Sequence, residues 1–599
     1  TIVIRPGFRA EFIGKIDLNV TLIQGGPISP GNTGCELPGV SADPTNLTFD
    51  AKTFSNDDDG GMAEVLADRT VAFRNMTLRQ AFAKRGGLLA IQEGADVTLR
   101  RVVLELGTAS EAGGLIYAAG TALNPVSLDI DGRFLGALRE GSSAGMGGAI
   151  HAEHTNLTLV DVEFLNNQAE GEGGGVSINA GSLEAHGTEF IDNSSLASGG
   201  AIFAVDLESL LINETEFNSN GAAVNGGAAA IEEVTTTVIN NDTVFFDNAA
   251  DGLGGAIHYA SDVIDYTLAI ERTLFDDNIS GFGGGATWMR GGDIKIGVQT
   301  EFVNNRANQG GAVLLDQTLG RVHIDRATFQ FNEAFEIGGN PGDGGALFFE
   351  DVADLIIENT VIDQNEAENG GGIFAIGSVF STNSLELINV AVSANRARES
   401  GGGIFTQQLD LLMSQSVVAS NISDGSGGGL FLLNSSTILD GIIVEANTAN
   451  SSGGGGMRIS GGSARIENGS SILNNRAEGS LRFGGGIRAL TQAQLSITDT
   501  LIRGNQSEVG GGISGFNSAI EVINSQIENN SASSRGGGVN VNSTALFIRS
   551  DVGSESGQCI PASLPTNRYC MEITGNSSQG AGGGLFIQNT SGAQIAEPT

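Results

Sequence analysis

The chain has 599 residues, with 69 acidic side chains against 30 basic ones and a formal net charge of −39. So acidic a surface repels phosphate backbones and anionic lipid headgroups, which argues against a nucleic-acid partner. No run approaches the ~18 consecutive apolar residues of a membrane span, so direct membrane insertion is not expected.

In chain order, residues 1–85 carry strand-like VTLI, LTF and TVAF runs, with Pro27, Pro30, Pro38 and Pro44 marking a Pro/Gly-rich loop among them. This segment reads as irregular first turns of the architecture that follows. The chain opens at Thr1 directly on a strand-like run, so no signal peptide is visible and a trimmed piece of a longer product is expected. The acids are scattered except for Asp57, Asp58 and Asp59. The run Asn56–Gly60 offers oxygen ligands for calcium but lacks the alternate spacing of an EF-hand loop, and it reads as a solvated loop. No cofactor or metal is expected, calcium at this run being the sole weak alternative.

From residue 86 to the end, Gly-Gly followed by an aliphatic residue recurs about every 27 residues, from Gly86, Gly113, Gly147 and Gly174 onward to Gly583. A second word, Phe-x-x-Asn, is locked to it at Phe164/Asn167, Phe190/Asn193, Phe217/Asn220, Phe245/Asn248, Phe275/Asn278, Phe302/Asn305 and Phe329/Asn332. An aliphatic residue then replaces Phe, at Ile362/Asn365, Val392/Asn395, Val418/Asn421, Val444/Asn447, Ile472/Asn475, Ile502/Asn505 and Ile527/Asn530. Self-similarity at this period means a solenoid.

One period, Met146–Gly173, contains three short runs, AIHAE, NLTLV and VEFL, β-branched or aliphatic at alternate positions and separated by Gly, Asn and polar residues. That pattern is strand, and 90 glycines oppose helix. The expected fold is all-β: a right-handed parallel β-helix with three short strands per rung of about 27 residues. The glycines turn a corner, the following aliphatic points inward, Phe or its replacement forms a second inward ladder, and the Asn sits in a turn where its amide bonds backbone or the next Asn. Loop insertions are expected near 120–145, 333–343 and 551–575.

Catalytic β-helices need clustered acids beside a basic residue, or a calcium site. The nearest match, Asp276-Asp277, occupies turn positions shared with Asp192, Asp247 and Asp363, so it reads as turn chemistry. His151 and His154 lie three apart on a strand and face opposite sides, which disfavours a shared metal. The residue after each inward aliphatic should face outward. From 288 to 431 it reads Trp288, Leu314, Phe348, Phe374, Phe405 and Phe431, an apolar stripe at rung spacing expected to be an interaction surface. The alternative for it is a self-stacked ladder shielded by loops. Cys559 and Cys570 fall inside the longest interval between Gly pairs and suit a loop-stapling disulfide, while Cys35 has no evident partner. Asn-x-Ser/Thr triplets at ladder positions (Asn193, Asn278, Asn421, Asn505, Asn576) should be locked in turns and unmodified.

The GGAI-like words Gly147–Ile150, Gly199–Ile202 and Gly254–Ile257, with the Phe-x-x-Asn words, resemble the polymorphic outer-membrane protein repeats of chlamydial autotransporter adhesins and other large bacterial surface proteins. The resemblance covers about residues 145–590 and implies an extracellular β-helical passenger used in adhesion or surface structure. The chain departs from that pattern in its later rungs, which prefer GGGI and Ile or Val for Phe, and no segment is patterned as a C-terminal membrane barrel. The expected function is a non-enzymatic extracellular or cell-surface structural or adhesive protein, a rigid β-helical rod and candidate filament or sheath subunit. Its expected partners are other copies of itself, surface proteins or glycans. The alternative is a polysaccharide-binding or polysaccharide-degrading β-helix protein.

Overall fold

The structure is a computed structural model that describes residues 59–133, 136–318, 320–378, 383–479, 482–550 and 571–589, together with the short strands Ile2–Ile4, Gly14–Ile16, Val20–Gln24, Thr48–Asp50 and Ala593–Ile595. Among the described residues all regular structure is β-strand, with no helix. The turns coil as a parallel β-solenoid of about 18 turns of roughly 27 residues. The chain divides into two units, residues 1–294 and 295–599.

Turns from Ala229 onward hold four strands, one more than expected, while in the turn of Ile150–Val160, Glu163–Leu165 and Gln168–Ala169 the first two run together as the single strand Ile150–Val160 and the total is three. One turn of the second unit runs Ile373–Ile376, Ser384–Ile388, Ala391–Ser393 and Arg396–Ser400. The first three stack within one parallel sheet system, and the fourth stacks in a separate sheet built only from its counterparts. In most turns this fourth strand is two residues long, as in Gln168–Ala169, too short to register as an alternating run. Its signal is the small residue two after the ladder Asn, such as Ala169, Ala222, Ala397 or Ser423, which is buried. Only a small side chain fits there, beside the turn that the Asn closes.

In the first unit the inward column after the corner pairs Leu89, Ile116, Ile150, Val176 and Ile202 turn upon turn, every one buried. The Phe column stacks ring on ring: Phe164–Phe190 at 4.6 Å, Phe190–Phe217 at 4.9 Å, Phe217–Phe245 at 4.6 Å and Phe245–Phe275 at 4.9 Å between centroids. Such stacked pairs add to the burial of the rings themselves. Replacing Phe217 by Ala opens a void between two rings and should cost about 3–5 kcal/mol. Hydrogen exchange is the measurement, because a solenoid loses turns locally. Amides of the turns carrying Phe190 and Phe245 should exchange faster while distant turns keep their protection.

In the second unit the same column runs Val313, Leu347, Ile373, Ile404, Leu430, Met457, Ile487, Ile513 and Val539. The second ladder begins Phe302, Phe329 and passes to Ile362, Val392 and Val418 in unbroken register. The corner demands glycine twice over. Gly401 has φ +67°, and a Cβ on Gly402 would lie 2.2 Å from the carbonyl oxygen of Gly428 on the next turn. In such triple-glycine turns the positive φ belongs to the glycine before the pair counted in the sequence.

Of the expected insertions, those at 120–145 and 333–343 contain small antiparallel excursions closed by bridges Thr121–Asn124 and Ile337–Asn340, but Val126–Asp131, Ala137–Arg139 and Ser142–Ser143 inside the first are regular strands of the solenoid. Asn308 holds the second by donating from Nδ2 to the carbonyls of Phe335 at 2.9 Å, Asn340 at 3.1 Å and Pro341 at 3.2 Å. Residues 551–570 of the third, with Cys559 and Cys570, lie outside the described residues, as does Cys35.

Candidate interaction groove

From residue 167 the Asn ladder closes one corner of each turn, while the earlier turns carry Ala81, Gly107 and Gly141 at that place. In the first unit it runs Asn167, Asn193, Asn220, Asn248 and Asn278, and in the second Asn305, Asn332, Asn365, Asn395, Asn421, Asn447, Asn475, Asn505 and Asn530, each at most 1% exposed. The Oδ1 of Asn193 accepts both the backbone N–H and the Nδ2 of Asn167, at 3.1 and 2.9 Å, while Asn193 Nδ2 donates to the carbonyl of Phe164 at 2.9 Å. The residue before each ladder Asn takes the left-handed conformation, as at Asn166, Asp192, Asp247 and Asp277. Asp and Asn tolerate that conformation best among non-glycine residues, which accounts for Asp277, while Asp276 ends the strand Thr273–Asp276. The sequons at Asn193, Asn278, Asn421 and Asn505 share one origin: a buried ladder Asn followed two residues later by the small inward position, here Ser.

The outward column of the second unit is not an open stripe. Leu314, Phe348, Phe374, Phe405 and Phe431 pair in register, yet they are only 3–8% exposed. Trp288, in the first unit, is 6% exposed. Two causes close the surface. The Cβ of Phe405 and of Phe431 each rests 2.9 Å from where a Cβ on its own corner glycine, Gly401 or Gly427, would stand, so the corner backbone covers one flank. The rings also cover each other, at 5.1 Å for Phe348–Phe374, 4.8 Å for Phe374–Phe405 and 4.9 Å for Phe405–Phe431.

Beside this column runs a polar one, the residue preceding each corner glycine: Asp343 bridges to Asn369, and Ser400 to Ser426. Asn369 donates to Asp343 Oδ1 at 2.9 Å, and its own Oδ1 accepts the Ser400 N–H at 3.2 Å. Burial is the main cause holding the Asp343 carboxyl above its ordinary range. The aromatic and polar columns run side by side along the turns. After Phe431 the outward column changes to Arg458 and Arg488.

In the first unit the same column runs Tyr117, His151, Ser177, Phe203, Ala230, His258 and Trp288. Tyr117 stacks on His151 at 5.8 Å and accepts a hydrogen bond from Arg85 Nη1 at 3.1 Å. Arg85 grips Asp59 through both carboxylate oxygens, at 3.0 and 2.7 Å. Of the run weighed for calcium, Asp59 and Gly60 are described and Asp59 is thus ion-paired, while Asn56, Asp57 and Asp58 lie outside the described residues. His151 approaches Glu153 at 3.3 Å, its neighbour on the same face, whereas His154 sits at a bend with φ +44°. Among the described residues no three His, Cys, Asp or Glu side chains gather as a metal site.

His258 stacks on Trp288 at 4.6 Å with a buried, unpartnered Nδ1. Burial, then the nearby Arg290 charge, pulls its imidazole from 6.5 down to about 4. A histidine depressed on folding contributes stability that is complete above the unfolded value, near 6.5, and is lost as pH falls toward 4. The contribution is about 3 kcal/mol. Denaturant unfolding of His258→Phe, which keeps the stack, should therefore weaken less than the parent between pH 7 and pH 4.5; equal losses would contradict the assignment.

The sequence reading missed an exposed apolar set on the second strands of the second unit, where Leu412, Ile438 and Phe547 face solvent. Ile438, Arg465, Ser496, Glu521 and Phe547 line an open depression of about 650 Å3 there. The signal was available: apolar residues at both parities of a strand flanked by polar turns.

Stacked parallel turns bearing an Asn ladder and a double-glycine corner define a repetitive β-solenoid whose recurring residues serve inter-turn packing. Residues 187–205 match the Chlamydia polymorphic membrane protein repeat. The chain is 25% identical over 345 residues to the "Probable outer membrane protein pmp20" of Chlamydia pneumoniae, covering 54% of this chain and 18% of that protein. It is 26% identical over 209 residues to the "Probable autotransporter YfaL" of Escherichia coli strain K12, covering 30% of this chain and 16% of that protein. The matched region thus spans less than a fifth of either relative's length. No solved structure matches the chain. The resemblance read from the repeat words and these two relatives agree on one kind of protein, displayed at the bacterial surface.

Proposed function

We propose that the chain is a non-enzymatic structural or adhesive protein of the cell surface, with stiff solenoid units that hold binding surfaces away from the cell. The observation that carries this reading is the Asn ladder that runs from Asn167 on. Each of those turns spends its most regular polar residue on holding the next turn, so the repeat recurs within the chain for rigidity, not for chemistry at one point. The names of the two relatives, an outer membrane protein and an autotransporter, support the surface location. Self-association into a filament or sheath is a further part of the proposal, since parallel turns stack by the same backbone bonds whether they belong to one chain or two.

Surface display is tested by protease treatment of intact source cells: the chain should be cleaved or shed without lysis, and full protection until permeabilisation would overturn it. Negative-stain images of purified protein across a concentration series test the filament, which predicts linear assemblies that lengthen with concentration.

A further inference from the structure

Arg458 and Arg488 pair in register on successive turns of the second unit, directly after the phenylalanine column. Partners in that relation lie about 4.8 Å apart. Arg458 lies over the Phe431 ring, 5.2 Å from its centroid, and donates from Nη1 to Ser426 Oγ at 2.9 Å. Its Nε is buried without an acceptor. Arg488 lies over Phe483 at 4.8 Å and donates to the Ser452 carbonyl. Both side chains are half-buried, and among the described residues neither has a carboxylate within ion-pairing distance. By contrast Arg396, Arg398, Arg465, Arg476 and Arg503 of the same unit are all ion-paired.

Two adjacent, partly desolvated guanidinium groups repel each other and lose hydration, which costs free energy unless an anion joins them. In a chain with 69 acidic residues and a charge of −39, the absence of an acid from this spot is a selective arrangement. Burial, and for Arg488 also the Arg458 charge, lower both groups from their ordinary value, Arg488 to about 10, which still leaves them cationic at neutral pH. The column continues past them as Ser514 and Asn540. On the neighbouring fourth strand Arg535, paired with Val509, lies 5.4 Å over Phe586 with its Nε buried without an acceptor.

We propose that Arg458 and Arg488 form an anion-binding site for the carboxylate or sulfate groups of an acidic polysaccharide. Planar guanidinium forks already held by rings are preorganised for such groups. The choice of a polysaccharide rests on the surface reading given above, while the anion site itself does not.

The test is binding of the purified full chain, at low ionic strength, to polygalacturonate, dextran sulfate, neutral dextran and polyglutamate. At least one acidic polysaccharide should bind at least about tenfold tighter than dextran, as charge-assisted hydrogen bonds imply. The double variant Arg458→Gln/Arg488→Gln should lose that preference, and Arg396→Gln, which breaks an ion pair elsewhere in the unit, should keep it. A thermal melt checks folding; if the double variant does not fold, Arg488→Gln alone is read, with about tenfold weaker binding expected. No preference for acidic polymers, or unaltered binding by the variants, would overturn the site. Equal or tighter binding of polyglutamate would overturn the polysaccharide. Neither result touches the protease accessibility that tests surface display.

Discussion

Gly402→Ala is expected to abolish protection of the turns on both sides of residue 402. Its new Cβ would meet the Gly428 carbonyl oxygen at 2.2 Å and the Ile422 carbonyl carbon and oxygen at 2.6 Å. All three are backbone atoms, and the backbone around them is bonded into its neighbours: Gly402 N–H to the Gly427 carbonyl at 3.0 Å and Gly403 N–H to the Gly429 carbonyl at 3.0 Å. A flexible side chain could swing aside, but here two turns must separate and break those bonds. The cost should exceed about 4 kcal/mol, the range reserved for such named disruptions. Gly221→Ala is the matched control, since a Cβ there meets nothing within 4 Å and its φ is not positive. It should be neutral or slightly stabilising, by up to ~1 kcal/mol. Hydrogen exchange by mass spectrometry reads both variants, and wild-type protection around residues 396–433 in Gly402→Ala would refute the close approach of turns.

Asn421→Ala is expected to be nearly as damaging, for an electrostatic reason instead of a steric one. Asn421 Oδ1 accepts from the Asn395 N–H at 2.9 Å and the Asn395 Nδ2 at 3.0 Å, and its Nδ2 donates to the Val392 carbonyl at 2.9 Å and Asn447 Oδ1 at 3.0 Å. Alanine leaves two donors and one backbone acceptor buried with bonds missing. Asn395 Nδ2 keeps the Ile362 carbonyl as a partner, so at ~1–3 kcal/mol for each of the other two groups the loss is about 2–6 kcal/mol. Asn421→Asp keeps the shape but sets a carboxylate oxygen against the Val392 carbonyl and Asn447 Oδ1, so it should be no milder than Ala at neutral pH and should recover as the carboxyl protonates. An Asp variant as stable as the parent at pH 7 would show that shape alone, not the donor–acceptor order, holds the ladder. For the same reason Asn421 should carry no glycan although Asn421-Ile422-Ser423 is a sequon, because its amide nitrogen is already committed.

Much of the candidate surface was legible as position and little of it as environment. Alternation along a strand sets Phe374 and Phe405 on the face opposite Ile373 and Ile404. That they are covered depends on the corner glycine folding back beside them and on rings arriving from turns 26 to 31 residues away in sequence. No local pattern encodes that approach. The fourth strand escaped notice for a related reason: two residues cannot display a period, and its only mark is a small side chain two places after each Asn.

Taken by itself, the sequence determined the coil length, the parallel stacking, the two columns that face inward and the Asn column in the turn with its sequons, because a repeat that must bury the same side chains on every turn has to spell them at a constant interval. Only the tertiary structure decided that the outward aromatic column is shielded and that Arg458 and Arg488 stand without an acid. Those are properties of neighbours brought together across turns, and the charge of a residue carries no record of which other charges fold beside it.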